Sequence, residues 1–139
     1  AKAQADFSQG GNFLNNRTEY YPDALYEAVK LLHDLYNIKM PIYITENGTY
    51  AIGEEHVNET GMVEDNDRIR YVSGFLKSLE KALADGYDIR GYYLWSLMDN
   101  FEWSAGSNYK FGITQVDKKT MELKPKKSAY FYKEYIEKA

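Results

Sequence analysis

Residues 41–48 read Pro41-Ile42-Tyr43-Ile44-Thr45-Glu46-Asn47-Gly48, and residues 89–98 read Ile89-Arg90-Gly91-Tyr92-Tyr93-Leu94-Trp95-Ser96-Leu97-Met98. Each is a β-branched and aromatic run closed by polar residues, which is the pattern of a strand. The second is apolar on both faces, as expected of a parallel strand buried on both sides. Between them, Ile69, Val72, Leu76, Leu79 and Leu83 keep helical spacing from about Asp65 until Asp85-Gly86, where glycine ends the helix. Before them, Leu25, Val29, Leu32 and Leu35/Tyr36 mark a helix opened by Tyr21-Pro22-Asp23 and fading near Asn37.

After the second run comes a long aromatic-rich connection, residues 99–124. Its second half is compatible with a small hairpin turning at Asp117-Lys118-Lys119. A last helix is expected from Pro125, with Ala129, Tyr132 and Ile136 on one face. Residues 49–64 read as a polar loop, and residues 1–20, without period, as a loop or tail. Helices alternating with strands imply βαβ units and a parallel sheet. Two strands do not make a stable parallel sheet by themselves, and these are too apolar for open edges. A (β/α)₈ barrel needs about 250 residues. The 139 residues here are therefore expected to be a piece of such a barrel, with residues 21–139 as barrel segments.

Composition narrows the function. A net charge of −4 argues against a nucleic-acid footprint. There is no cysteine, hence no thiolate metal site, disulfide or cysteine nucleophile. The two histidines, His33 and His56, do not suggest a metal pair, and no apolar run is long enough to cross a bilayer. No membrane partner, metal or organic cofactor is expected. The lack of cysteine is compatible with a reducing cytoplasm, the expected location.

In parallel α/β folds the working residues sit at the C-terminal ends of strands. The first strand ends at Glu46, where a carboxylate could attack an anomeric carbon, act as acid or base, or merely cap the next element. The second ends in Trp95-Ser96-Leu97-Met98-Asp99-Asn100-Phe101-Glu102-Trp103. Sugars present apolar C–H faces and polar hydroxyl rims. Indole rings suit the former, while carboxylates and indole N–H groups suit the latter. Asp99, Glu102, Trp95 and Trp103 fit that use, whereas Phe101 reads as a packed aromatic corner.

At these residues the sequence resembles the family 1 glycoside hydrolases, the β-glucosidase and β-galactosidase clan of (β/α)₈ TIM barrels. The matching text is Tyr21-Pro22…Leu25, Pro41 to Gly48, Asp65…Arg68…Tyr71, Asp85-Gly86, Gly91 to Trp103, Lys110-Phe111-Gly112-Ile113…Val116-Asp117 and Pro125 to Ala129. The resemblance implies the C-terminal portion of the barrel, about strands 7 and 8 with flanking helices. It implies hydrolysis of a β-glucoside or β-galactoside with retention. Glu46 then corresponds to the nucleophile, Trp95 to the platform under the sugar and Glu102 to the acid gripping O4 and O6. Trp103 corresponds to the indole reaching O3 or O4, and Phe111 to the aromatic near C6. Asp99 and Asn100 match the motif as loop scaffold.

One departure matters. The family's acid/base is the glutamate of a Thr-Xaa-Asn-Glu-Pro motif, which this chain lacks. Retaining chemistry needs two carboxylates roughly 5–5.5 Å apart. Glu54, Glu55 and Glu59 follow Glu46, but polar-loop glutamates are expected to be solvated. The expected partner is therefore an N-terminal barrel portion, strands 1 to 6, as a separate chain. Without it, the alternatives are an inactive barrel fragment or a sugar-binding module.

Overall fold

The computed structural model describes Leu14, residues 18–52 and residues 55–138. Helix α1 spans Asp23–Asp34, strand β1 Ile42–Asn47, β2 Ala51–Ile52 and helix α2 Asn66–Ala84. Then come β3 Ile89–Leu94, β4 Tyr109–Lys110, β5 Thr114–Val116, β6 Leu123–Pro125 and helix α3 Lys127–Lys138. β1 and β3 pair in parallel, with Ile44 opposite Tyr92 and Asn47 opposite Leu94. α2 is the crossover between them. β2 pairs antiparallel with β4, and β5 with β6.

α1 starts behind Pro22, whose fixed φ suits a helix entry, with Asp23 in the first turn. α2 ends at Ala84 and is followed by Asp85 and Gly86, whose φ of +89° is open to glycine at little cost. Its buried stripe is Arg68, Tyr71, Val72, Phe75, Leu76, Ser78, Leu79 and Ala82. Ile44, Ile89, Tyr92 and Leu94 of the sheet pack on it, together with Leu14. Burying each of the large apolar side chains, such as Val72, Phe75 and Leu76, is worth about 1.5–3 kcal/mol before ordering costs.

The opposite face of the same sheet is bare. Tyr43 is 52% exposed and Tyr93 59% exposed, and a Cβ added at Gly91, between them, would meet both rings. The expectation that the second strand is covered on both faces thus fails here, because no described element packs on this side.

Several boundaries also differ from the sequence reading. The second strand ends at Leu94, not Met98. The polar stretch after Glu46 contains β2, held by β4 from the aromatic connection. Pro125 closes β6 and α3 begins at Lys127. Leu83 and Ile136 are exposed. α3 turns Ser128, Phe131, Tyr132 and Tyr135 inward, so of the expected Ala129, Tyr132 and Ile136 face Tyr132 packs on the core and Ile136 does not. The loop-or-tail reading of residues 1–20 falls mostly outside the described residues. Of those described, Leu14 is buried in the core.

Candidate active site

β1 and β3 run in parallel, so their C-terminal ends emerge side by side. Glu46 is the penultimate residue of β1, and Trp95 directly follows β3. Both line an open pocket of about 260 Å³ with Asn47, Gly48 and Tyr71. The Trp95 amide donates to the Asn47 carbonyl at 2.9 Å. Gly48 is required beside this bond, because a Cβ there would overlap the Trp95 carbonyl oxygen. The Trp95–Ser96 peptide is cis.

Asn47 links the strands through its side chain as well. Tyr92 donates to Asn47 Oδ1 at 2.7 Å. Burial pushes the pKa of the Tyr71 hydroxyl up, and a hydrogen bond with Asn47 opposes that shift. Burial also raises Tyr92, helped by the neighbouring Tyr132, Tyr71 and Tyr135. Both phenols therefore stay neutral at physiological pH. The carboxylate of Glu46 is exposed at the rim of a pocket floored by neutral polar groups.

The other predicted residues are distributed around this pair. Glu102 begins a tight turn, with its amide 2.9 Å from the Gly106 carbonyl oxygen. Trp103, on that turn, is 90% exposed. Neither lines the Glu46 pocket. The Phe111 ring lies 5.2 Å from that of Tyr50, and its carbonyl accepts from the Ser96 amide at 3.2 Å. The structure thus brings Glu46 and Trp95 together and ties Phe111 to them through the backbone. Glu102, half-buried, and Trp103, exposed, sit on the same loop. A larger cavity, about 440 Å³, opens at the start of α2 among Tyr50, Glu55, His56, Asp65 and Arg68. It contains none of the predicted residues.

A buried ionic cluster under these loops was not anticipated. Lys126 Nζ lies 2.6 Å from Glu55 Oε2 and 3.0 Å from Asp99 Oδ1. Arg68 pairs with Glu55 at 3.4 Å and, more closely, with Asp65. Arg68 also donates to the carbonyls of Thr49 and Lys110. Asp65 in turn accepts from the Ser128 amide at 2.9 Å. Glu55 is therefore not a solvated loop glutamate: two cations hold it out of water. Asp99 does act as loop scaffold, taking the Gly112 amide at 3.0 Å as well as Lys126. Arg68 was legible, since it lies one turn before Val72 on the buried stripe. Lys126 carries no such signal, because it stands between a strand and a helix. Tyr71 likewise sits on the stripe next to Val72, and its lining role follows from that placement.

Among the described residues, no group of three or more His, Asp or Glu side chains is arranged to hold a metal ion. No helix among them is long and apolar enough to cross a membrane.

The chain is similar to known proteins in sequence and in fold. The family model for glycosyl hydrolase family 1 matches residues 4–139. β-Glucosidase A of Acetivibrio thermocellus is 44% identical over 116 residues, which is 84% of this chain and 25% of that protein. A 6-phospho-β-galactosidase of Streptococcus mutans is 45% identical over 117 residues, covering 84% of this chain and 24% of that protein. The structure of a family 1 β-glucosidase from Thermotoga maritima superposes with a TM-score of 0.84 at 34% identity. That alignment covers 93% of this chain and 28% of the other. The same Thermotoga enzyme has been solved with isofagomine lactam bound. The chain spans about a quarter of the length of the curated relatives it matches. With a family model over nearly its whole length and a parallel strand pair that superposes on a family 1 TIM barrel, the chain belongs to glycosyl hydrolase family 1 and forms part of that barrel.

Proposed function

We propose that this chain supplies strands 7 and 8 of a retaining β-glycosidase and works when assembled with the barrel portion carrying strands 1 to 6, taken here as a separate chain. The observation that carries this reading is the pairing of Glu46 with Trp95 in one pocket at the ends of two parallel strands. In the assembly, the sugar lies on the Trp95 ring with its anomeric carbon facing Glu46. A glutamate of the other portion protonates the leaving oxygen while a Glu46 oxygen attacks the anomeric carbon. The C1–O bond to the aglycone breaks and a glycosyl ester of Glu46 forms. The same partner glutamate, now ionised, takes a proton from water. That water displaces Glu46 and returns the configuration to β. Glu102 and Trp103 hold the distal hydroxyls of the glycone, and Phe111 flanks its C6 end.

The relatives include both β-glucosidases and 6-phospho-β-galactosidases, so the glycone has to be argued from the site. Glu102, proposed at the O6 end, places a negative charge where a 6-phosphate would carry a second. Like charges that close disfavour binding. The substrate is therefore an unphosphorylated β-glucoside or β-galactoside. Among the described residues one carboxylate lines the pocket, which favours an inactive state for the unassembled chain over a sugar-binding role. The absence of cysteine supports a cytoplasmic setting.

The test is reconstitution. Native mass spectrometry of the 16.1 kDa chain mixed with the strand 1–6 portion should give a stoichiometric complex. That complex should hydrolyse a nitrophenyl β-glucoside or β-galactoside far faster than its 6-phosphate. A complex that prefers the phosphorylated substrate overturns the glycone assignment. A stable complex without any β-glycosidase activity overturns the reading.

A further inference from the structure

The buried cluster beneath the site is larger than the fold's other polar contacts and bridges segments that are remote in sequence. Lys126 has a fully buried side chain, while Glu55 and Asp99 are only 5% and 6% exposed. Glu55 belongs to the segment leaving β1, nine residues after Glu46. Asp99 belongs to the segment leaving β3, four residues after Trp95 and three before Glu102. One ammonium thus holds both segments that carry the site. The Lys126 amide also donates to the Ile113 carbonyl at 2.8 Å, and the Ile113 amide donates to the Ser96 carbonyl at 2.9 Å. The backbone of Lys126 is therefore tied, through one residue, to the position next to Trp95.

Burying such charges is costly unless each is paired, and a purely apolar packing could serve stability as well. The arrangement is more informative as a positioning device. Three carboxylates (Glu55, Asp65, Asp99) share two cations (Arg68, Lys126). Asp99 Oδ2 is buried without a hydrogen-bond partner among the described residues. Asp99 is thus held by its other oxygen, which takes both Lys126 and the Gly112 amide. Loss of Lys126 would leave one backbone N–H to fix that carboxylate. We infer that Lys126 is a positioning residue: its buried ammonium clamps the segment after β1 to the segment after β3 and thereby sets where Trp95 stands relative to Glu46. This rests on the glycosidase reading only for its catalytic consequence, since the clamp itself is geometric.

The chain's composition provides a direct readout. Its two tryptophans are Trp95 and Trp103. Trp95 is pinned to Asn47 by its amide, whereas Trp103 is 90% exposed and serves as an internal control. The chain is labelled with 5-fluorotryptophan and its two ¹⁹F resonances are followed. The variant is Lys126→Met with Asp99→Asn, which removes one charge of each sign. The expected result is retained helical circular dichroism, a shifted or broadened Trp95 resonance and an unchanged Trp103 resonance. In the assembly, kcat should fall about 10²-fold with KM little changed, the signature of misplacement rather than lost binding. Asp99→Asn alone, nearly isosteric, should give the same signature in smaller measure, and it decides the matter if the double variant does not fold. A folded variant with an unmoved Trp95 resonance overturns the clamp, whatever the activity. Unfolding of both variants also overturns it, since the cluster would then be a stability element only. A moved Trp95 in a chain whose wild-type assembly shows no activity keeps the clamp and discards the glycosidase reading.

Discussion

The two faces of the β1–β3 sheet are built from the same twelve residues and have opposite fates. On one, Ile44, Tyr92 and Leu94 meet Tyr71, Phe75 and Leu76 of α2. On the other, Tyr43 and Tyr93 stand more than half exposed on either side of Gly91, and Leu97, Phe101 and Trp103 of the following segment are exposed as well. Isolated exposed aromatics are ordinary, but neighbouring exposed rings on one face of a sheet mark a contact surface. The covered face is therefore a complete local structure. On the assembly proposed above, the bare face is the interior of the completed barrel, with the site at its edge.

That contrast can be broken or sharpened by mutation. The largest effect is expected on the covered face. Leu76 is 2% exposed, and Leu76→Ala should lower unfolding free energy by about 2–5 kcal/mol, read as a shifted urea midpoint. Leu83 falls in the same sequence rhythm but is 47% exposed, so Leu83→Ala should cost no more than about 0.5 kcal/mol. Equal losses would mean that the α2 stripe is wrongly assigned. The smallest effect belongs to the bare face. The pair Tyr43→Ser and Tyr93→Ser should change the stability of the chain alone by about 0.5 kcal/mol or less. It should reduce self-association in sedimentation and weaken the complex with the strand 1–6 portion. If the pair instead unfolds the chain, that face is already covered and the contrast collapses.

The same contrast explains how far the sequence could be read. The strand pair, the α2 crossover and the Asp117 turn were legible because periodicity and turn chemistry are local. Glu46 and Trp95 were legible as strand-end residues, and the parallel pairing brings them together without further information. The inward face of α3 is legible only at Tyr132, because Ala129, Tyr132 and Ile136 are an equally valid helical stripe until the neighbours of Tyr135 are known. β2 was missed, because two residues of strand gain their identity only from Tyr109 and Lys110, more than fifty positions away. The Glu55–Lys126 contact is equally non-local, spanning 71 residues. A polar loop glutamate is ordinarily solvated, and only the fold reveals that two buried cations have claimed this one.

The proposed role of Glu46 as the nucleophile of a retaining reaction is tested by trapping the covalent intermediate. A 2-deoxy-2-fluoro-β-glycoside with a good leaving group slows both displacement steps while allowing the first to proceed. The assembly is incubated with it, and the intact mass of the 16.1 kDa chain is measured before and after. One added fluoroglycosyl unit is expected, mapped by peptide analysis to Glu46 and absent from Glu46→Gln. An active assembly whose adduct lies on another residue, or whose hydrolysis survives Glu46→Gln unchanged, would contradict it.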